Sequence, residues 1–332
     1  MQAAIAIVGY GNVARRFAGL LEERAARLAA DHDLTCRILG TATRTHGTRF
    51  AGEQCRDPFE MIARLASADA DLRILLETTT LDVRKGEPAI SHVRAALDAR
   101  CHVVTANKGP VAFGYAELRD RARAAGVRFL FEGTVMDGVP VFNLGRETLP
   151  AVGILGFEGV INTTTNHILT AMESGATFEA ALAKMQADGI AEADPSLDVD
   201  GWDAAAKAAA LANVLMDARI TPHDVERQGI DAATGGRAAS ARRSGRRLKL
   251  VASARVRSDS TGHSGRQIEC RVEPVELPAD HLLAGLDGSA NALILETDLL
   301  NRIAICQLSS SLTQTAYALL SDIVAIARGG RV

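Results

Sequence analysis

A chain of 332 residues exceeds the usual size of one hydrophobic core, so two domains are expected. With 47% apolar and 23% charged residues its composition is that of a globular protein, and a net charge of -3 gives no electrostatic basis for binding nucleic acid or a membrane. Five scattered cysteines, Cys36, Cys55, Cys101, Cys270 and Cys306, form no C-x-x-C pair, which argues against a disulfide framework or zinc site and for a reducing, cytoplasmic compartment. The N-terminus lacks a basic leader with an apolar centre, and no run of about 18 apolar residues is free of charge, so neither a signal peptide nor a transmembrane helix is expected.

Residues 3–8 read as a short apolar strand that runs into Gly9-Tyr10-Gly11-Asn12-Val13-Ala14, after which Phe17, Leu20, Leu21, Ala25 and Leu28 recur at helical spacing. The strand–turn–helix context fits the G-x-G-x-x-G/A fingerprint. Gly9 makes the tight turn, Gly11 lets the backbone approach a pyrophosphate, and Ala14 allows close helix–strand packing. Asn12 and Val13 open the helix whose N–H groups face the anion. A second strand at 34–42 leads into Thr41-Ala42-Thr43-Arg44-Thr45. An acid here would grip the ribose hydroxyls of NAD, whereas an arginine accommodates a 2′-phosphate. With no acid and Arg44 present, NADP is expected and NAD is the alternative.

A helix follows at Pro58–Leu65, then a strand at Leu72–Leu76 that ends in Glu77-Thr78-Thr79-Thr80. Doubly wound sheets bind ligands at the carboxyl ends of their strands, so Thr79 is counted among the cofactor contacts. A helix at 88–98, a strand at Cys101–Thr105, a helix at 115–125 and a strand at Val127–Phe131 complete an alternation that implies a parallel sheet with crossover helices. Lys108, just beyond the fourth of these strands, would by itself be a surface lysine, but the same strand-end rule makes it a candidate.

Near residue 140 the character changes. Helical patterns appear at 166–173, 177–188 and 202–217. Strands at 246–257 and 266–275 form a hairpin around the polar loop Asp259–Gly265, and a strand at Ile303–Gln307 precedes an apolar helix at 312–327. The basic run Arg242-Arg243-Ser244-Gly245-Arg246-Arg247 has no interleaved aromatic residue and reads as a solvated loop.

The most informative stretch is 189–207, with Glu192, Asp194, Asp198, Asp200 and Asp203 followed by Lys207. Asp203 and Lys207 are four apart at the head of an alanine-rich helix and so share one face. Such a pair on a surface is worth only about 0.3–0.5 kcal/mol. In a site, a carboxylate beside an ammonium can hold a polar substrate and pass a proton. Asp194-Pro195 reads as a turn, Asp200 as a cap of the following helix, Asp198 likewise as a turn or cap residue, and Trp202 as a packing residue.

Several ordered blocks carry a resemblance: G-Y-G-N-V-A at 9–14, G-E-P-A-I-S-H at 86–92, V-V-T-A-N-K-G-P at 103–110, F-E-G-T-V-M-D-G-V-P-V at 131–141 and the 189–207 segment. Together they make the chain resemble the homoserine dehydrogenase family over nearly its full length, in the compact form without a C-terminal regulatory domain. The resemblance implies an α/β fold with a Rossmann-type doubly wound sheet plus a mixed α/β catalytic and dimerisation domain. The expected divisions are 1–140 for the dinucleotide, 141–305 for catalysis and dimerisation, and 306–332 for a C-terminal helix returning to the first domain. It further implies interconversion of L-homoserine and L-aspartate 4-semialdehyde with NAD(P), on the way to threonine and methionine, in a cytoplasmic homodimer. Lys108 would line the nicotinamide–substrate site, Glu192 would meet the substrate amino group, Asp203 would bind the substrate, and Lys207 would transfer the proton; on the chemistry alone Lys207, Lys108 or a water held by them could polarise the carbonyl and donate it. Glu132, Val135, Asp137 and Val139 match positions that hold a monovalent cation such as sodium, mainly through backbone carbonyls.

The chain departs from that family in places. The G-I-L-N-G-T-T-N-Y segment is G-V-I-N-T-T-T-N-H at 159–167, with Thr163 for glycine and His167 for tyrosine. Ile190 replaces another tyrosine, and the glycine-rich loop before T-A-Y-A-L-L-S-D is Gln307-Leu308-Ser309-Ser310-Ser311. A β-branched residue in place of glycine should reshape a pocket. These changes keep two alternatives open: a related oxidoreductase for another small hydroxy or aldehyde acid, and a nucleotide-binding protein without catalysis. For His167 a structural hydrogen-bonding role is preferred to that of a general base.

Overall fold

The computed structural model describes residues 1–189, 191, 194–257 and 267–329. It divides into two compact units, Met1–Leu144 with Ser311–Val332, and Gly145–Ser310.

The first unit opens with β1 (Gln2–Val8), buried over Ala3–Val8 and therefore continuously apolar, as expected of a strand covered on both faces. α1 (Asn12–His32), β2 (Thr35–Thr43), β3 (Gly47–Phe50), β4 (Glu53–Cys55), α2 (Pro58–Ala66), β5 (Leu72–Glu77), α3 (Ala89–Asp98), β6 (His102–Thr105), α4 (Gly109–Ala125), β7 (Phe129–Leu130) and the short α5 (Val141–Asn143) follow. The sheet order is β4-β3-β2-β1-β5-β6-β7, parallel except where β3 and β4 pair antiparallel at the edge. The chain goes from β1 to β2 on one side and returns to β5 on the other. That reversal opens a crevice at the carboxyl ends of β1 and β5. Ile5, Ile7, Phe17, Leu20 and Leu76 form the core with Leu319 and Ile323 of the C-terminal helix.

Two features of this unit differ from expectation. The β3–β4 hairpin has strands of four and three residues, too short for a readable alternation, with Gly52 at a φ of 85° in its turn. α4 begins at Gly109, six residues before the expected start at 115. Gly109-Pro110 reads as a breaker, but proline is compatible with the first turn, and Asn107 Oδ1 accepts the Gly109 N–H at 2.9 Å.

The second unit contains β8 (Ile154–Val160), α6 (Thr163–Glu173), α7 (Phe178–Ala187), α8 (Ser196–Val199), α9 (Trp202–Leu215), β9 (Glu226–Arg227), α10 (Ala232–Arg243), β10 (Arg246–Val256), β11 (Ile268–Pro278), β12 (Asn291–Thr297) and β13 (Arg302–Gln307). The strands are ordered β13-β12-β8-β10-β11-β9 and are antiparallel except for the short β9–β11 pairing. The β10–β11 hairpin is paired along its length, and its expected loop at 259–265 lies outside the described residues. α6, α9 and α10 lie against β10. Ala204, Ala205, Ala208 and Ala209 are buried, which lets α9 come close to the sheet.

α11 (Leu312–Ala327), which matches the expected apolar helix, belongs to the first unit and packs on α1. The basic run is not a loop. Arg242 and Arg243 end α10, where cations suit the helix dipole, and Arg246 and Arg247 begin β10. Arg247 Nε lies 2.6 Å from the buried Glu173 carboxylate. Among the described residues no helix is long and apolar enough to cross a membrane.

Candidate active site

The β1–α1 turn sits at the sheet's reversal point. Gly9 has φ 91°, and an added Cβ would lie 2.6 Å from the Thr78 carbonyl and the Thr79 nitrogen. Only glycine satisfies both the dihedral and the space. Its N–H donates to Ala42 O at 2.9 Å, and the Gly11 N–H donates to Gly9 O at 2.9 Å. Gly11 is the N-cap of α1, with no side-chain cap and open space where its Cβ would be. Asn12 is exposed, Val13 half-buried, and Ala14 fully buried in the core. An exposed, uncapped helix start beside two glycines suits a pyrophosphate. Arg44 is exposed in the β2–β3 turn, which holds no carboxylate. Thr79 is half-buried at the end of β5.

Lys108 is the half-buried N-cap residue of α4, immediately after Asn107. Glu132 is buried, and its carboxylate accepts the N–H groups of Phe142 at 2.8 Å and Asn143 at 2.7 Å. Val135 is buried as well. Asp137, at φ 48°, accepts the Thr315 hydroxyl at 2.9 Å, and the Val139 carbonyl accepts the Val141 N–H at 2.8 Å. The Glu132 side chain therefore serves the backbone of α5. A cation in this segment is left to main-chain carbonyl oxygens, donors of the type a hard ion prefers.

The second unit gathers a polar cluster where β8 ends and α6 and α9 begin. Lys207 Nζ donates to Ile161 O at 2.6 Å and lies 3.0 Å from Asp203 Oδ2. The two side chains are 15% and 16% exposed, so this is not the solvated pair that the spacing alone would suggest. Asn162 caps α6 through Oδ1, which accepts the Thr165 N–H at 2.9 Å. Its Nδ2 donates to Asp198 at 2.7 Å and to Asp203 at 2.9 Å. Burial, and next the charge of Asp203, raise the Asp198 carboxyl above its ordinary range; bonds from Asn162 and Thr164 and the charge of Lys207 oppose them.

Asp198 is thus part of the cluster and not a bystander carboxylate, because α8 turns it inward toward Asn162. Asn162 was not singled out from the sequence either. Asp194 does make a turn, accepting the Ser196 N–H at 3.1 Å. The Asp200 side chain does not cap α9, whose N-cap is Gly201 without a side-chain bond. Trp202 packs, with Arg227 3.9 Å above its ring and His223 at its edge. Glu192 and Ile190 lie outside the described residues. His167 packs at Gly288 and has its pKa lowered by burial, which Asp188 opposes; it bonds to none of the cluster. Two of the departures meet on one residue: Asn291 Nδ2 lies 3.4 Å from Thr163 Oγ1 and 3.2 Å from Gln307 Oε1.

Residues 9–132 match the model of the homoserine dehydrogenase NAD-binding domain, and residues 140–324 match that of homoserine dehydrogenase itself. The chain belongs to the homoserine dehydrogenase family. A Pseudomonas canavaninivorans protein named NAD(+)-dependent homoserine dehydrogenase is 38% identical, covering 97% of this chain and 95% of that relative. The homoserine dehydrogenase of Methanocaldococcus jannaschii is 37% identical over 78% of this chain and 74% of its own. In structure, a homoserine dehydrogenase from Thiobacillus denitrificans superposes with a TM-score of 0.86 at 29% identity, covering 99% of this chain and 74% of that one. A putative homoserine dehydrogenase from Archaeoglobus fulgidus gives 0.83 at 30% identity, over 98% and 99%. The expected fold class is therefore correct: a Rossmann-type sheet and a second, mixed α/β unit. As a family member the chain is an NAD(P)-dependent oxidoreductase with homoserine dehydrogenase activity.

Proposed function

We propose that Asp203, Lys207 and Asn162 are the centre at which the chain interconverts L-homoserine and L-aspartate 4-semialdehyde. The observation that carries this reading is the Lys207–Asp203 pair, 3.0 Å apart and mostly buried. A family resemblance alone would not distinguish such a pair from a surface ion pair.

Reduction of the aldehyde needs a hydride at carbon and a proton at oxygen. Bound dinucleotide supplies the hydride in one direction and accepts it in the other. Lys207 donates a proton from Nζ as the carbonyl oxygen becomes a hydroxyl, and takes it back during oxidation. Asp203 and the Ile161 carbonyl hold that ammonium, and the Asn162 amide holds Asp203 and Asp198. Glu192 and Asp203 receive the substrate ammonium, and Lys108 lines the nicotinamide side of the substrate.

Gly9, Gly11, Asn12, Val13, Ala14 and Thr79 hold the dinucleotide, with Arg44 on a 2′-phosphate. The absence of a carboxylate from the β2–β3 turn favours NADP. NAD is the second reading, favoured by the name of the Pseudomonas relative. A monovalent cation bound by carbonyls at Glu132, Val135, Asp137 and Val139, a cytoplasmic location and a homodimer formed through 141–305 complete the proposal, with 1–140 and 306–332 on the dinucleotide side. The test is a panel of L-homoserine and its analogues, with NADP or NAD, followed at the absorbance band of reduced nicotinamide. Turnover of L-homoserine supports the reading. Turnover of an analogue alone would redirect it to the Thr163 and Gln307 departures.

A further inference from the structure

Glu77, the last residue of β5, is a fully buried carboxylate that no step above uses. Its Oε1 accepts the Thr79 N–H at 3.2 Å and also the Thr79 hydroxyl, and Oε2 lies 3.3 Å from the Thr105 hydroxyl. His92 Nδ1 lies 3.9 Å from the same Oε1, too far for a hydrogen bond, and has no such partner among the described residues. The Glu77 carboxylate therefore serves the turn that follows β5, and its backbone carbonyl, which takes the Thr105 proton at 2.8 Å, serves the turn that follows β6.

The polarity of those bonds matters. A hydroxyl has one proton, and with that proton given to Glu77 the Thr79 oxygen can only accept. Asn107 Nδ2 donates to it at 3.2 Å, and to Thr80 O at 3.4 Å. That fixes the orientation of the Asn107 amide, so Oδ1 faces the first N–H of α4, at Gly109. The Asn107 N–H donates to Thr105 Oγ1 at 3.0 Å, and Thr105 donates to Glu77 O at 2.8 Å. Gly109 packs closely on Gly86, where an added Cβ would sit 3.0 Å from Gly86 Cα. Between Asn107 and Gly109 stands Lys108.

We propose that Glu77 is a positioning residue for the reaction, setting the T-A-N-K turn through Thr79 and Asn107 and with it the direction in which Lys108 leaves the backbone. This rests on the reading of Lys108 as a residue of the nicotinamide–substrate site. Replacing Glu77 by leucine removes the acceptor of the Thr79 proton. The hydroxyl then turns toward Asn107, the amide flips, and Nδ2 meets the Gly109 N–H, donor against donor.

The test compares full-length Glu77→Leu, Thr79→Val, Lys108→Ala and the Glu77→Leu/Lys108→Ala double variant. Their kcat, KM for L-homoserine and Kd for the dinucleotide are measured. We expect Glu77→Leu and Thr79→Val each to lower kcat about tenfold, the effect of one displaced hydrogen bond. Because Thr79 is itself a dinucleotide contact, Thr79→Val is expected to raise dinucleotide Kd as well, so the variants are compared at saturating dinucleotide. The double variant should lose no more than Lys108→Ala alone, since Glu77 acts through Lys108. A purely structural role would instead give losses that multiply. Multiplying losses, or wild-type kcat in both Glu77→Leu and Thr79→Val, would overturn the proposal. Full activity of Lys108→Ala would overturn the Lys108 reading itself, and this inference with it. If Glu77→Leu does not fold, Thr79→Val, at a partly exposed turn, and its double variant with Lys108→Ala carry the comparison.

Discussion

At the residue scale, Asn162 joins most of the site's geometry. Its two amide hydrogens go to two different carboxylates, and its oxygen caps α6. We expect Asn162→Ala to lower kcat/KM by about 10- to 100-fold, the range for losing hydrogen bonds to charged groups. Loss of the cap should cost about 1 kcal/mol in a denaturant titration. Wild-type kcat/KM would remove Asn162 from the site. A second residue sets a pH dependence. Burial, with Arg128 close by, pushes the His102 imidazole down from 6.5 to about 4, and its Nδ1 accepts the Arg128 N–H at 3.0 Å. The unfolded chain binds this proton near pH 6.5 and the folded chain only near 4. Stability from this group is therefore complete above pH 6.5 and is lost as pH falls toward 4. The denaturation midpoint should fall over that window, and the fall should be smaller in His102→Phe; equal falls would exclude the group. Asp203 and Lys207 could be read from the sequence because their spacing is local. Asn162 and Asp198 could not, because Asn162 bonds partners 36 and 41 residues away and Asp198 resembles any acid in a turn.

At the scale of elements, the β1–α1 turn is the least tolerant part of the first unit. Gly9→Ala places a Cβ 2.6 Å from backbone atoms at a φ of 91°. We expect it to weaken dinucleotide binding at least tenfold, seen by titrating protein fluorescence, and unchanged affinity would contradict the assigned cradle. This turn was legible because its three demands (a positive φ, a close approach and a helix start) each select a residue type. Elements without such demands were not. α10, A-A-T-G-G-R-A-A-S-A-R-R, has two glycines and no apolar stripe, and it forms under the capping box of Asp231 and Thr234 with Ala238 and Ala241 buried. β8 contains Gly156 and Gly159, which weaken a strand pattern; an added Cβ at Gly159 would lie 2.8 Å from Ala292 O, so neighbour approach and not propensity explains the residue. The meeting of Thr163 and Gln307 on Asn291 was equally invisible, since β12 itself was not expected from the sequence.

At the scale of the whole molecule, the proposed homodimer should elute with a light-scattering mass twice the 35.1 kDa of the chain, and a monomer at working concentrations would contradict it. The NADP reading expects kcat/KM to favour NADP, with the preference reduced by Arg44→Ala. A preference for NAD that Arg44→Ala leaves unchanged would transfer the assignment to the second reading. The central claim is that a buried lysine held by Asp203 and Ile161 passes the proton. It is tested most directly by the kcat of Lys207→Ala with L-homoserine at saturating dinucleotide, alongside its dinucleotide Kd. We expect kcat to fall at least about 100-fold while Kd stays within about twofold, as for loss of a general acid–base group. An unchanged kcat would remove Lys207 from the chemistry.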